Sequence, residues 1–159
     1  MLTMNENMFS SDILAESFSR TIETMAFMMA LPPEDVLESP DEAVLVSMDF
    51  TGPLCGHIEL AAGIDVVISA AANIMGLEPD DPLAREKGVD AFKEILNTTC
   101  GILLPRLASS PDDIFDVTIP QAQMIESKHR WNNYVDQPDV IMLDIEYHPV
   151  AARMVIKAR

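Results

Sequence analysis

The sequence is short of positive charge. Ten Lys and Arg stand against 26 Asp and Glu, a formal net charge of −16 at pH 7, so the surface repels phosphate backbones and anionic lipid headgroups. Nucleic acid and membrane are therefore poor partners. Glycine is scarce as well, with six residues, and none of them forms a Walker or other Gly-rich phosphate loop. Any chemistry on phosphate must draw its positive charge from elsewhere. Cysteine is limited to Cys55 and Cys100, without CxxC spacing; this excludes a disulfide framework, suits a reducing compartment, and leads us to expect a cytoplasmic protein. Long hydrophobic runs are missing. The longest, around Val66 to Met75, is too short to span a bilayer, and the opening MLTMNENMFSSD has neither the basic n-region nor the apolar h-region of an export signal. His57, His129 and His148 are scattered, with no spacing to a second good ligand, so no metal site of the chain's own is expected.

What is present suffices for a folded domain. The chain has 159 residues, of which 48% are hydrophobic and 23% charged, the balance of an ordinary globular protein with one core. We read residues 1–159 as a single domain. Apolar residues at helical spacing from Asp12 to Met29 predict a first helix, capped by Ser11 or Asp12 and stopped by Leu31-Pro32-Pro33. Alternation from Ala43 to Phe50, with Val44, Val46, Met48 and Phe50 on one face, predicts a strand. The Thr51-Gly52-Pro53 turn then returns the chain along Leu54 to Ala61 as an antiparallel hairpin. Gly63 and Gly76 bound a helix from Ile64 to Met75. Beyond Asp80-Asp81-Pro82 a longer helix runs from Leu83 to Leu104 or Leu107, with Gly88 and Pro105 as irregularities near its ends. Strands are predicted at Ile114 to Ile119, Val140 to Tyr147 and Ala151 to Lys157, separated by a polar loop and by His148-Pro149. Elements arriving in blocks of one kind indicate an α+β fold, an antiparallel sheet with helices packed on it. Helix–hairpin and helix–strands read as an internal α-β-β pseudo-repeat.

On the long helix, at about 100° per residue, Asp90, Glu94, Asn97 and Gly101 fall within roughly 60° of one another. Phe92, Ile95, Leu96, Ile102 and Leu103 lie on the other side, so the apolar face buries against the sheet and the polar stripe faces out. Asn in a helix costs ~0.5 kcal/mol and Gly ~1 kcal/mol relative to Ala. Gly101 lets another backbone come close, and Asn97 offers a donor and an acceptor without charge. The bland reading is a solvated face; the sharper one is a docking surface.

Glu94-Ile95-Leu96-Asn97-Thr98-Thr99-Cys100-Gly101 resembles the E-x-x-N-x-x-x-G signature of the CheC, CheX and FliY chemotaxis phosphatases, and Asp90 matches the acidic or Ser position before it. Ser19 to Met29 is similar to the family's first helix. Ile68 to Glu78 is similar to its apolar helix ending in Gly-Leu-Glu, and Val117-Thr118-Ile119-Pro120 to its proline-ended strand. CheC-like members carry a second E-x-x-N on the first helix; here Glu16-Ser17-Phe18-Ser19 lacks the Asn, so the CheX type with one site is the better match. The resemblance implies a phosphatase acting on the phosphoaspartate of a CheY-like response regulator. In it Asn97 orients the attacking water, Glu94 pairs with the regulator's lysine, and Asp90 and Gly101 contact the partner. It implies no cofactor of the chain's own, since the lysine and a Mg²⁺ ion sit on the regulator. It also implies a homodimer through exposed strand edges, with Met154-Val155-Ile156 as the candidate edge. A solvated carboxylate is a weak general base and an amide has no titratable proton, so positioning is preferred to base catalysis.

Other features have plainer readings. Cys100 has no basic neighbour on its helical face and reads as a packing residue. Lys128-His129-Arg130-Trp131 is the one basic cluster, read as a solvated loop in preference to a grip on an acidic partner patch. The methionines of the helices read as core. A non-catalytic adaptor of the same fold that binds a receiver domain is the alternative function, and a small-ligand domain a third; the ligand domain would need a buried polar pocket.

Overall fold

The structure is a computed structural model and describes residues 4–157; the first three residues of the opening stretch read for export signals lie outside it. Helix α1 (Met4–Ala26) leads into a hairpin of β1 (Ala43–Thr51) and β2 (Cys55–Gly63), then α2 (Ile64–Met75) and α3 (Pro82–Leu107). Two short strands, β3 (Asp116–Val117) and β4 (Gln121–Ile125), precede α4 (Lys128–Val135) and the hairpin β5 (Val140–Ile145) and β6 (His148–Lys157). The sheet order is β3-β1-β2-β6-β5, all antiparallel, with β4 pairing the other half of the same β1 edge.

Alternation decides which way each strand faces. Val44, Val46, Met48 and Phe50 of β1 and Ile58, Leu60 and Ala62 of β2 point to one face. There they meet Leu143, Ile145, Val150 and Ala152 of the second hairpin. Ile13, Leu14, Phe18 and Ile22 of α1 and Phe92, Ile95, Leu96 and Leu103 of α3 close over them. The opposite face is apolar only at one end, where Ala43, Leu45, Ala61 and Ala151 pack under Trp131 of α4. Helix α2 lies against α3 through Ile68, Ala72 and Ala84. The order β1-β2-β6-β5 places two hairpins back to back, each preceded by a long helix, α1 or α3, which is the arrangement an α-β-β repeat produces.

Several expectations need correction. Helix α1 starts at Met4, so Ser11 and Asp12 lie inside it and do not cap it. It ends at Ala26, where Phe27 enters the left-handed region (φ 56) and the N–H groups of Phe27 and Met28 donate to the Glu23 and Ile22 carbonyls. Met29 is consequently outside the helix and exposed, while Met28 is buried. The strand expected at Ile114 to Ile119 shrinks to two residues. The polar loop holds β4 and α4, so Lys128–Trp131 is helical, and Trp131 is 1% exposed. The hairpin turn is Glu146-Tyr147, both at positive φ, as a type I′ two-residue hairpin turn requires, and His148-Pro149 already belong to β6. Met154–Ile156 belongs to an interior strand and is an edge on one side only. It pairs with β2, and only its other side extends past β5, whose pairing stops at Arg153.

Candidate functional site

Helix α3 is well started and firmly seated. Asp81 caps it by accepting from the Leu83 N–H (2.9 Å), and Pro82 occupies the first turn, where its missing N–H costs nothing. Ala84, Gly88, Phe92, Ile95, Leu96, Thr99, Cys100 and Leu103 are buried along one side. Gly88 is no irregularity in the helix. A Cβ there would sit 3.2 Å from Val67 Cγ1, so the glycine lets α2 and α3 approach. Pro105 falls in the last turn, and the helix continues through it to Leu107. Thr99 satisfies its buried hydroxyl by donating to the Ile95 carbonyl (2.7 Å).

The opposite side of α3 presents Asp90, Glu94, Asn97 and Gly101 to solvent as one stripe. Glu94 and Asn97 are brought together: Asn97 Nδ2 donates to Glu94 Oε1 at 3.4 Å. Asp90 is exposed on the same stripe. Nothing lies within 4 Å of where a Gly101 Cβ would stand, so no contact within the described residues calls for glycine there. Beside Asn97 opens a groove of ≈ 870 Å³ that continues over Gly101 and Leu104 to Ile114, Phe115 and Val117. Its far wall is set by Asp113, whose carboxylate accepts from the Ser109 and Ser110 N–H groups (2.7 and 3.0 Å). Sequence reasoning did not find this wall. The Ser109-Ser110-Pro111 turn followed by Asp113 was its available signal.

Chemically the stripe offers a carboxylate and a neutral amide, with no nucleophile beside them. Cys100 faces inward, its Sγ 3.9 Å from Met48 Sδ, and burial pushes its thiol up to about 12. It is a packing residue. Arg106, one turn beyond the stripe, pairs with Glu16 of α1 at 2.8 Å. That contact engages Glu16, while Ser17 is buried and Ser19 donates to the Ala30 carbonyl, so α1 displays no acid–amide pair. His57, His129 and His148 lie on β2, α4 and the start of β6. Among the described residues no group of three or more His, Cys, Asp or Glu side chains is placed to hold a metal ion. A polar network unforeseen in the sequence lies on the sheet face opposite the main core. There His57 sits between Asp49 (2.6 Å) and Glu59 (3.0 Å), and Glu59 also receives Tyr134 (3.1 Å) and Arg153 (3.3 Å). No helix among the described residues is long and apolar enough to cross a membrane.

The family model described as chemotaxis phosphatase CheX matches residues 44–142, a span that contains Glu94, Asn97 and Gly101. Among solved structures, the chain is similar to a chemotaxis protein CheX from Desulfovibrio desulfuricans. The TM-score is 0.67 and the identity 15%, covering 93% of this chain and 99% of that one. It is similar also to a chain of the CheX–CheY–BeF3–Mg complex from Borrelia burgdorferi, with TM-score 0.63 and 17% identity over 92% and 97% of the two chains. FliY from Thermotoga maritima matches with TM-score 0.61 and 19% identity over 99% and 92%. At these identities the structural likeness speaks for the fold, and the family match covers more than half of the sequence: the chain belongs to the CheX family of chemotaxis phosphatases.

Proposed function

We propose that this protein dephosphorylates the phosphoaspartate of a CheY-like response regulator, with Asn97 orienting the attacking water and Glu94 pairing with the regulator's active-site lysine. The observation that carries the reading is the exposed Glu94–Asn97 pair on α3, in a chain of the CheX family whose fold is shared by a chain of a CheX–CheY–BeF3–Mg complex. In the reaction the water oxygen bonds to phosphorus as the bond between phosphorus and the aspartyl oxygen breaks. Inorganic phosphate leaves with the water's protons shared between it and solvent, and the regulator regains its carboxylate. Charge on the transferring group is met by the regulator's lysine and its Mg²⁺, which resolves how a chain of net charge −16 acts on phosphate. Asp90 and Gly101 extend the contact along the helix, Gly101 by letting the partner backbone approach. The setting is the cytoplasm, where such regulators work. Self-association as a homodimer belongs to the same reading. Its available edge is the part of β5 before Asp144, which Leu31 already pairs, together with the end of β6 that extends past β5, and light scattering over a dilution series measures it.

The test is the decay of a phosphorylated CheY-type receiver with and without the protein. Asn97→Ala is expected to slow the accelerated decay on the order of a hundredfold, with the thermal midpoint unchanged or slightly raised, because the side chain is solvated and alanine suits a helix better. Glu94→Ala is expected to weaken engagement of a receiver loaded with a phosphate analogue. Decay at the wild-type rate with Asn97→Ala rejects the assigned role. Tight binding by the wild type with no acceleration at all identifies an adaptor.

A further inference from the structure

The connection from α1 to β1 carries side chains that folding leaves in water. Phe27, Met29, Leu31 and Val36 are 78, 65, 51 and 102% exposed, and Tyr147 of the β5–β6 turn is 88% exposed. All five line one open groove of ≈ 940 Å³. A large apolar side chain forgoes up to about 1.5–3 kcal/mol by staying fully exposed, and a contiguous group of them marks an interaction surface. Two of the five are also held in the left-handed backbone region, Phe27 at φ 56 and Tyr147 at φ 68. Glycine or asparagine suits such positions better. Neither ring contributes to the core of this chain to offset that strain.

The rim of the groove identifies its occupant. Glu34, Asp35, Glu38, Asp144 and Glu146 line it, and no Lys, Arg or His does. Lys128 engages Glu38 at 3.2 Å; the other four have no ion-pair partner among the described residues. A second copy of this chain would bring the same carboxylates against these, and an anionic bilayer would be repelled in the same way. The backbone excludes strand addition at this point. Leu31 already exchanges both hydrogen bonds with Asp144 of β5 (2.9 and 2.7 Å), and Pro32 and Pro33 have no N–H to offer. Recognition therefore runs through side chains, as it does when an amphipathic helix lies in a groove.

We propose that this groove docks a cationic amphipathic helix of a partner protein. Its apolar stripe meets Phe27, Met29, Leu31, Val36 and Tyr147, and its Lys and Arg meet Glu34, Asp35 and Glu146. The surface is built from elements other than α3 and works alongside the phosphatase stripe. The probe is a labelled synthetic helical peptide with a Leu/Phe stripe flanked by Lys and Arg, compared with a twin of identical stripe flanked by Glu. Titrated into the full-length protein, the cationic peptide should bind, shift the backbone amide signals of residues 27–38 and 144–147, and weaken as salt is added. The acidic twin should bind at least about tenfold more weakly. The V36S/Y147N variant keeps its fold, since Val36 is fully exposed and Asn suits the positive φ of the turn. It should lose affinity by about tenfold or more with an unchanged or raised thermal midpoint. Equal binding of the twin, signals shifted on α3 instead, no binding of the cationic peptide, or undiminished binding by the variant would each overturn the proposal. Self-association of the free protein that disappears in the variant would overturn it in favour of a second copy.

Discussion

Gly88 and Gly101 sit on the same helix in unlike surroundings. At Gly88 an added Cβ would press on Val67 Cγ1 at 3.2 Å, whereas at Gly101 it would meet nothing within 4 Å. Glycine in a helix costs on the order of 0.5–1 kcal/mol relative to alanine. Gly101→Ala should therefore raise the stability of the free protein by about that amount in chemical denaturation and, on the proposed function, weaken receiver engagement on the order of tenfold. A variant equally stabilised and fully active would show that Gly101 has no part in docking. Cys100 makes the converse case of a residue tempting in sequence and structural in fact. Burial pushes its thiol from the ordinary 9.0 up to about 12. As pH rises past 9.0 the unfolded chain gives up this proton while the folded chain keeps it. The unfolded state then binds fewer protons, and stability falls between pH 9.0 and about 12. Tyr134 is also raised, by burial first and then by the charge of Glu59 and the hydrogen bond to it, and adds to the fall above its ordinary 10.0. Denaturation midpoints measured from neutral to alkaline pH should drop less steeply for Cys100→Ala than for the wild type; parallel profiles would refute the assignment.

Elements with a strong period were legible, and elements made by their surroundings were not. Helix α2 matches its expected bounds because glycine marks both ends, Gly76 taking the left-handed conformation (φ 69) that closes the helix. The β1–β2 hairpin and the exposed stripe of α3 follow from alternation and from helical spacing. Strand β4 escaped because Gln121–Met124 are exposed and only Ile125 is buried; it exists by pairing with β1, not by any pattern of its own. Helix α4 is eight residues long, below the length at which a helix holds itself in water. Ser127 starts it by accepting from the Arg130 N–H (3.2 Å), and Trp131 anchors it over Ala43, Leu45, Ala61 and Ala151. The Glu146-Tyr147 turn lacks the Asn-Gly chemistry that normally announces positive φ, which is why the break was expected at His148-Pro149. The α4 account is testable because Trp131 is the chain's one tryptophan. Its emission should be blue-shifted until unfolding, and Trp131→Ala should cost about 3–5 kcal/mol. A red, quencher-accessible native emission would contradict the packing.

At the scale of the whole molecule, the repeat-like halves share one interior. Ile13, Phe18, Val46 and Leu60 from the first half occupy the same core cluster as Phe92, Leu96, Ile145 and Val150 from the second. The two hairpins are joined through the long β2–β6 pairing, from Cys55–Lys157 to Ala62–Val150. Neither half covers its own apolar sheet face without a helix and strands that face the other half, so we expect the chain to unfold in one cooperative step. Leu60 is the sharpest probe: it is fully buried at the middle of β2, opposite Ala152 of β6. Leu60→Ala should lower stability by about 2–5 kcal/mol. In native-state hydrogen exchange it should accelerate the most protected amides of β1 and of β5–β6 by the same factor, because both open only when the shared core opens. Loss of protection confined to α1, β1 and β2, with the second hairpin unchanged, would show two separately stable units. The substitution lies on the core side of the sheet and away from the exposed stripe, so on the proposed function, at temperatures where the variant remains folded, its receiver dephosphorylation should match the wild type, separating what holds the stripe in place from what the stripe is proposed to do.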